Sequence, residues 1–323
     1  MTKQFTRALV SGGSGFVGSH LCEALIDAGT AVVCVDNFVT GRAENVESCL
    51  RSGMFELIEH DITTPLPDVG PVDVVFHLAS AASPVDYRRL PIETLRAGSV
   101  GTENLLEVAL DNSARFVLAS TSEVYGDPQV HPQVEDYFGN VNPIGMRSVY
   151  DEAKRYAEAL TTAYLRTYGV DTAIARIFNT YGPRMRSDDG RMIPTFIAQA
   201  LAGTPLTVTG SGTQTRSICY VSDTVAGLLA LATASHSGPV NLGNPIEATV
   251  QEWAVRVAKV VGSSAELDYI DATPDDPRQR CPDITRARQE LGWQPVVEVD
   301  TGLERTVRWF VNQASPAATT VSH

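Results

Sequence analysis

The sequence predicts an α/β chain in which a doubly wound parallel sheet carries a smaller, discontinuous C-terminal domain. Three observations predict it. Short apolar runs alternate with helix-period segments through the first half, the pattern of βαβ units. The first run leads into Gly12-Gly13-Ser14-Gly15-Phe16-Val17-Gly18, glycines spaced GxxGxxG ahead of a helical segment. The second run ends on a carboxylate, Asp36.

Residues 7–10, 31–36, 55–61, 72–79, 115–121 and 171–178 read as buried strands. Residues 20–28, 101–111 and 150–168 read as the helices between them. Right-handed crossovers then gather the strand C-termini at one edge, where ligands bind. The second half is less regular. Residues 183–191 read as a loop, with Gly182-Pro183 and Asp188-Asp189-Gly190 as turn signals. A helix is expected over 193–203, short strands over 204–217 around Gly210-Ser211-Gly212, a return to the main sheet at 239–243, and helices over 251–261 and 301–312. The organisation that follows is a nucleotide-binding domain over 1–178 with a return near 218–244. A mainly substrate-binding domain covers 179–312, and the Ala-, Ser- and Thr-rich 313–323 is a disordered tail.

A chain of 323 residues, 43% hydrophobic and 20% charged, has the composition of a soluble globular protein. Its net charge of -13 argues against a general nucleic-acid binder, so an anionic ligand must be held by local arginines or backbone amides. Cys22, Cys34, Cys49, Cys219 and Cys281 show no CxxC or zinc spacing. They read as core thiols in a reducing cytosol, and no metal site is expected. No stretch has the length and apolarity of a signal peptide or membrane span. The first strand begins within ten residues of Met1, which leaves no room for a targeting segment ahead of it.

The glycines carry a specific expectation. Gly12 permits a tight turn, Gly15 lets the backbone approach a pyrophosphate, and Gly18 allows helix and strand to pack closely. The helix N-terminus adds amides and the positive end of its dipole. Asp36 then falls beside the adenosine ribose, where it would repel a 2′-phosphate; NAD is expected over NADP. Asp61 and Ile62, at the end of the third strand, are placed at the adenine edge. His60 and His77 read as ordinary strand-end histidines.

The chemistry is expected at Thr121-Ser122-Glu123, which closes one strand, and at Tyr150 and Lys154, four apart on one helix face. A phenol is a poor base at neutral pH, and an adjacent ammonium favours its phenolate. Tyr150 is thus a candidate acid/base at a carbinol, and Thr121 a hydroxyl that holds the substrate oxygen. Glu123 adds a carboxylate that alcohol oxidation does not need.

From Arg7 to Phe310 the chain resembles the extended short-chain dehydrogenase/reductases, and within them the UDP-glucuronate decarboxylases. Ala119-Ser-Thr-Ser-Glu-Val-Tyr-Gly-Asp127 is common to several sugar-nucleotide enzymes. His131-Pro132, Glu135-Asp136-Tyr137, Asn142-Pro143, and Asp275-Asp276-Pro277 with Arg280 and Pro282-Asp283-Ile284 narrow the match. The resemblance implies a Rossmann domain and a cytoplasmic homodimer paired through the helix at Tyr150. It also implies an NAD-dependent route from a UDP-sugar acid through a 4-ketone to loss of CO₂. It assigns Lys154 to the nicotinamide ribose as well as to Tyr150. Arg280 becomes an active-site arginine for the carboxylate. Phe16, Val17, Asn37, Phe38, Leu78, Ser80, Thr180 and Arg191 flank the cofactor, and Tyr87, Ser122, Asn179 and Arg216 the substrate.

The sequence departs from that family at three places. Ala81 replaces a usual proline, Arg96-Ala97-Gly98 replaces Lys-Thr-Asn, and Ala153 replaces glycine. These changes bear on cofactor contacts and leave the acid/base set intact. The same set also serves sugar-nucleotide 4-epimerases and 4,6-dehydratases. A sensory module that binds NAD without turnover is the non-enzymatic alternative.

Overall fold

The computed structural model describes residues 5–272 and 277–314; Asp275 and Asp276 lie outside these, as does the expected tail of 313–323 apart from Gln313 and Ala314, which end a helix instead. The first half alternates as the periodicity predicts. Strand β1 (Arg7–Ser11) leads to helix α1 (Phe16–Asp27), β2 (Ala31–Asp36), the short α2 (Glu47–Leu50), β3 (Phe55–Glu59) and β4 (Val74–His77). Two six-residue helices follow, α3 (Pro84–Arg89) and α4 (Pro91–Arg96). A π-turn (Ala97–Gly101) joins α4 to α5 (Thr102–Asp111). Then come β5 (Arg115–Thr121), a 3₁₀ turn (Ser122–Tyr125), α6 (Ser148–Tyr168) and β6 (Thr172–Ile177).

The expectation had missed α3 and α4, because each spans less than two turns and starts on a proline. Proline suits the first turn of a helix, where its missing N–H has no intrahelical partner to lose. Ser83 caps α3 by accepting from the Asp86 amide at 3.1 Å. The first helix begins at Phe16, four residues before the expectation, so the glycine loop runs directly into it.

The second half supplies β7 (Thr180–Tyr181), α7 (Met192–Ala202), β8 (Leu206–Thr209), β9 (Thr215–Ser217), β10 (Cys219–Tyr220) and α8 (Val221–Thr233). After these come β11 (Pro239–Leu242), β12 (Glu247–Thr249), α9 (Val250–Val261), β13 (Leu267–Ile270), β14 (Gln279–Arg280), α10 (Thr285–Leu291) and α11 (Val299–Ala314). Thr249 and Glu252 form a reciprocal capping box at the start of α9.

The main sheet has seven strands in the order β11-β6-β5-β4-β1-β2-β3, and its pairs are parallel. Residues 239–242 do return to it, beside β6. All seven residues of β5 are buried, as expected of a central strand covered on both faces. The chain order reverses between β1 and β4, and a crevice opens at their carboxyl ends. Small sheets β12-β9-β14 and β13-β8 stand beyond it. No described helix is long and apolar enough to cross a membrane.

Candidate active site

A cleft of about 770 Å³ runs from the glycine loop, past the ends of β4 and β5, to β9 and β14. The glycines fit a dinucleotide for steric reasons. A β-carbon on Gly18 would lie 2.1 Å from the Gly12 carbonyl oxygen, so only glycine lets α1 pack on the turn. At Gly15 a β-carbon would meet only Gly12 O, at 3.2 Å, so the far side of this residue is open to a ligand. Asp36 accepts from the Ser14 and Phe38 amides, each at 2.9 Å. It thereby ties the glycine loop to the end of β2, and burial raises its carboxyl. Ser80 Oγ is buried at the cleft wall with no hydrogen-bond partner, as a group awaiting a ligand would be.

Most of the predicted positions line this one cleft. At the cofactor end are Gly12, Gly15, Phe16, Val17, Gly18, Asp36, Asn37, Asp61, Ile62, Leu78, Ser80, Thr180 and Arg191. Toward the far end are Tyr87, Thr121, Glu123, Tyr150, Lys154, Asn179, Arg216 and Arg280. Phe38 and Ser122 are not in the lining. Phe38 enters through its amide to Asp36, and Ser122 through its carbonyl, which accepts from Arg280. The Thr180 hydroxyl is committed to Phe178 O and Thr224 Oγ1, each at 3.0 Å.

Tyr150 is buried, and the Tyr87 ring stacks on it, centroids 5.6 Å apart and 5° from parallel. Lys154 Nζ donates to Ala119 O at 2.8 Å and stands 5.9 Å from the centre of the Tyr150 ring. Burial pushes the Lys154 ammonium down to about 8. Burial raises the Tyr150 phenol, while a hydrogen bond with Thr121 draws it back down. Among the described residues, the Thr121 hydrogen bond is the first influence that favours the Tyr150 phenolate against burial. The expected direct grip of Lys154 on the phenol is replaced by one on the backbone of β5. His77 is an internal group, bonded to Ser11 Oγ and Thr102 Oγ1 at 2.9 and 3.0 Å; burial lowers it to about 3.

Glu123 lies between two guanidiniums. Arg147 Nη2 donates to its Oε2 at 2.6 Å, and Arg280 Nη2 to the same oxygen at 3.2 Å. Burial alone would raise this carboxyl, but Arg280 and Arg147 overrule it and hold it at about 2. Arg280 is only 1% exposed. Sequence reasoning missed Arg147. A lone arginine ahead of a helix reads as surface charge, and its one signal was a position three residues before Tyr150, which puts it on the same face. It also missed Asp151, buried beside this group, whose Oδ1 has no hydrogen-bond partner.

The arrangement brings a phenol, a hydroxyl and an arginine–carboxylate cluster to one end of the cleft. The chain as a whole is similar to known proteins. The profile of the NAD dependent epimerase/dehydratase family matches residues 8–243. UDP-glucuronic acid decarboxylase 1 of Xenopus tropicalis is 51% identical over 95% of this chain and 73% of its own. UDP-glucuronic acid decarboxylase 5 of Arabidopsis thaliana is 52% identical over 92% of this chain and 87% of its own. Among solved structures, the UDP-glucose 4-epimerase of Thermotoga maritima superposes with a TM-score of 0.89, at 28% identity, over 96% of this chain and 100% of that one. The UDP-glucuronic acid 4-epimerase of Bacillus cereus, solved with UDP-glucuronic acid and NAD, gives 0.85 at 28% identity over 95% and 99%. The chain belongs to the NAD dependent epimerase/dehydratase family, in the company of the UDP-glucuronic acid decarboxylases.

Proposed function

We propose that this chain converts UDP-glucuronate to UDP-xylose and CO₂ through a 4-keto sugar. The observation that carries the proposal is Glu123 held between Arg147 and Arg280, in the same cleft as the Tyr150–Thr121 pair. One part of the site can oxidise a carbinol, and the other can receive a carboxylate. The half-identical decarboxylases support the same reading. The fold does not discriminate, since 4-epimerases share it.

Held by the glycine loop and Asp36, NAD would supply a hydride acceptor at C4 and the hydride that restores the alcohol. Thr121 orients the 4-hydroxyl, and Tyr150 takes its proton as the ketone forms. Lys154 holds the β5 backbone through Ala119, lines the same cleft, and is assigned to the cofactor ribose. The new ketone is β to the C6 carboxylate. When the C5–C6 bond breaks, its electron pair passes into the carbonyl and CO₂ leaves. The resulting enolate takes a proton at C5 from solvent water, and Tyr150 returns the proton it took from the 4-hydroxyl to O4 as the ketone is reduced. Arg280 and Arg147 hold the carboxylate, while Glu123 limits how tightly they do so. A carboxylate that must become neutral CO₂ reacts more slowly if the arginines favour its ground state over the transition state. Asn179 and Arg216 are assigned to the UDP phosphates and Tyr87 to the sugar. Gly12, Gly15, Gly18, Asp36, Asp61 and Ile62 are assigned to the adenosine half of NAD.

A homodimer is part of the proposal. Ile92, Leu95, Val100 and Tyr156, on α4, the π-turn and α6, are 56%, 38%, 41% and 52% exposed, and a second copy would cover them. Five free, buried cysteines suit a reducing cytoplasm. The test is to incubate the purified protein with UDP-glucuronate and follow CO₂ and the sugar product. Stoichiometric CO₂ with UDP-xylose is expected. Inversion at C4 without CO₂ would replace the proposal with a 4-epimerase.

A further inference from the structure

Residues 182–191, between β7 and α7, cross the cleft as a strap fastened on both sides. On the α1 side, Pro183 O lies 3.0 Å from His20 Nε2, and Arg184 Nη2 donates to Glu23 at 2.6 Å. Arg184 has a φ of +71°, a conformation that a non-glycine residue adopts only under constraint. Arg191, gripped by Asp189 at 2.6 and 2.8 Å, closes the strap over the Phe16 ring at 5.9 Å.

On the α3 side, Arg186 Nη2 lies 3.1 and 3.0 Å from the two oxygens of Asp86. The Asp86 side chain is 5% exposed and also accepts from Ser83 Oγ at 2.7 Å. Gly190 rests directly on this helix; a β-carbon there would lie 2.7 Å from Val85 Cγ2. The helix gripped in this way is the one whose Tyr87 stacks on Tyr150. The strap therefore joins α1, which starts at the pyrophosphate cradle, to α3, which covers the reacting end. Arg184, Arg186 and Gly190 all line the cleft beneath it.

We propose that the Asp86–Arg186 pair is a latch: closed, it retains NAD and keeps Tyr87 over Tyr150, and its opening frees the cofactor. The inference rests on the proposed reaction in one respect, that a cofactor reduced and reoxidised within one turnover has no need to leave. A latch on the cleft serves such a cycle, whereas it would slow a dehydrogenase that must exchange NADH each time.

The test compares the purified chain with Asp86→Asn and Arg186→Met, measuring NAD per chain after desalting and the dissociation rate of NAD without any sugar. Loss of one partner of a mostly buried charge pair acts chiefly on dissociation, so NAD is expected to leave about tenfold faster from each variant. Asp86 also meets Arg89 at 3.4 Å and Arg186 also meets Asp188 at 3.2 Å, so the double variant should fall short of the product of the two single effects, because their shared pair is lost only once. Turned over with UDP-glucuronate, the variants should also shed more free NADH with an equal amount of 4-keto sugar. Melting in saturating NAD controls for folding. Should a variant not fold, Arg186→Lys, which keeps the charge but not the guanidinium fork, is expected to fall between parent and Arg186→Met. NAD dissociation within twofold of the parent in the folded variants overturns the latch. Since that rate needs no sugar, a different substrate would leave this test standing.

Discussion

Gly98 and Ala153 fit against each other where the π-turn crosses α6. A β-carbon on Gly98 would lie 2.7 Å from the Ala153 carbonyl oxygen and 2.8 Å from the Ala153 β-carbon. Two departures from the family pattern, far apart in the chain, are thus one packing event. The methyl of Ala153 occupies the side from which a residue at 98 would approach. The contact lies one residue before Lys154, so it also sets how closely the π-turn approaches the helix that carries Tyr150 and Lys154.

Gly98→Asn is therefore expected to destabilise the chain by about 1–3 kcal/mol, the usual cost of overpacking. Ala153→Gly alone should cost about 1 kcal/mol, as glycine does inside a helix. The double variant should cost less than the sum, because the β-carbon clash is removed while the backbone contact remains. Denaturant unfolding of all four proteins gives the coupling directly; strict additivity would show that the two positions do not interact.

Tyr150→Phe keeps the ring stacked beneath Tyr87 and removes only the group that carries the proton. Turnover should fall by about 10²–10⁴, the usual worth of a positioned acid/base. Bound NAD per chain should be unchanged. An unaltered kcat would remove Tyr150 from its assigned role.

The sheet and the cofactor end were legible because their signals are local. Alternating apolar runs, a glycine loop and an acidic strand end all fall within the first 36 residues. Tyr150 and Lys154 stand four apart on one helix in the sequence, and the structure brings both to the cleft that Thr121 lines. What was not legible depends on contacts between distant segments. Arg147 gains meaning only when folding brings Glu123 to it, and Arg186 only when α3 lies across the cleft. The direction of Lys154 toward Ala119 is likewise a tertiary choice, since spacing alone puts it near Tyr150 without saying which oxygen it meets. Helices α3 and α4 were hidden by their shortness.

Asp151 provides a test by pH. Burial, then the charge of Glu123, raises its carboxyl to about 7; Arg147 and Arg280 oppose this and Glu152 adds to it. In the unfolded chain the group titrates near its ordinary value of about 4. The folded form therefore holds the proton more tightly. The resulting stability is fully present below about pH 4 and is lost as pH rises through about 7. Asp151→Asn carries no such titration. Its melting temperature relative to the parent should rise from about pH 4 to about pH 7 and level off above that, and a pH-independent difference would mean that Asp151 is ionised throughout.

Glu123→Gln separates the charge of that side chain from its shape. Glu123 is held ionised, at about 2, by the two arginines, so at neutral pH the substitution removes one full negative charge beside Arg147 and Arg280. If the carboxylate tempers their pull, the variant should bind UDP-glucuronate at least as tightly as the parent and turn it over about 10²–10³ times more slowly, because stronger ground-state binding adds to the barrier. UDP-glucose, which has no carboxylate, should bind both proteins alike. Equilibrium binding of both sugars and kcat for UDP-glucuronate distinguish this from a proton-donor role. Loss of a proton donor would lower kcat without tightening the glucuronate complex. Weaker glucuronate binding with an unchanged kcat would sink the tempering role and leave Glu123 as a brace for Arg147 and Arg280. Glu123 meets the Tyr150–Thr121 pair through its backbone amide on Thr121 Oγ1, which Glu123→Gln keeps, and through a charge that raises the Tyr150 phenol, which the variant removes; C4 oxidation, followed as transient NADH in a single turnover, should therefore survive in Glu123→Gln even where CO₂ release does not.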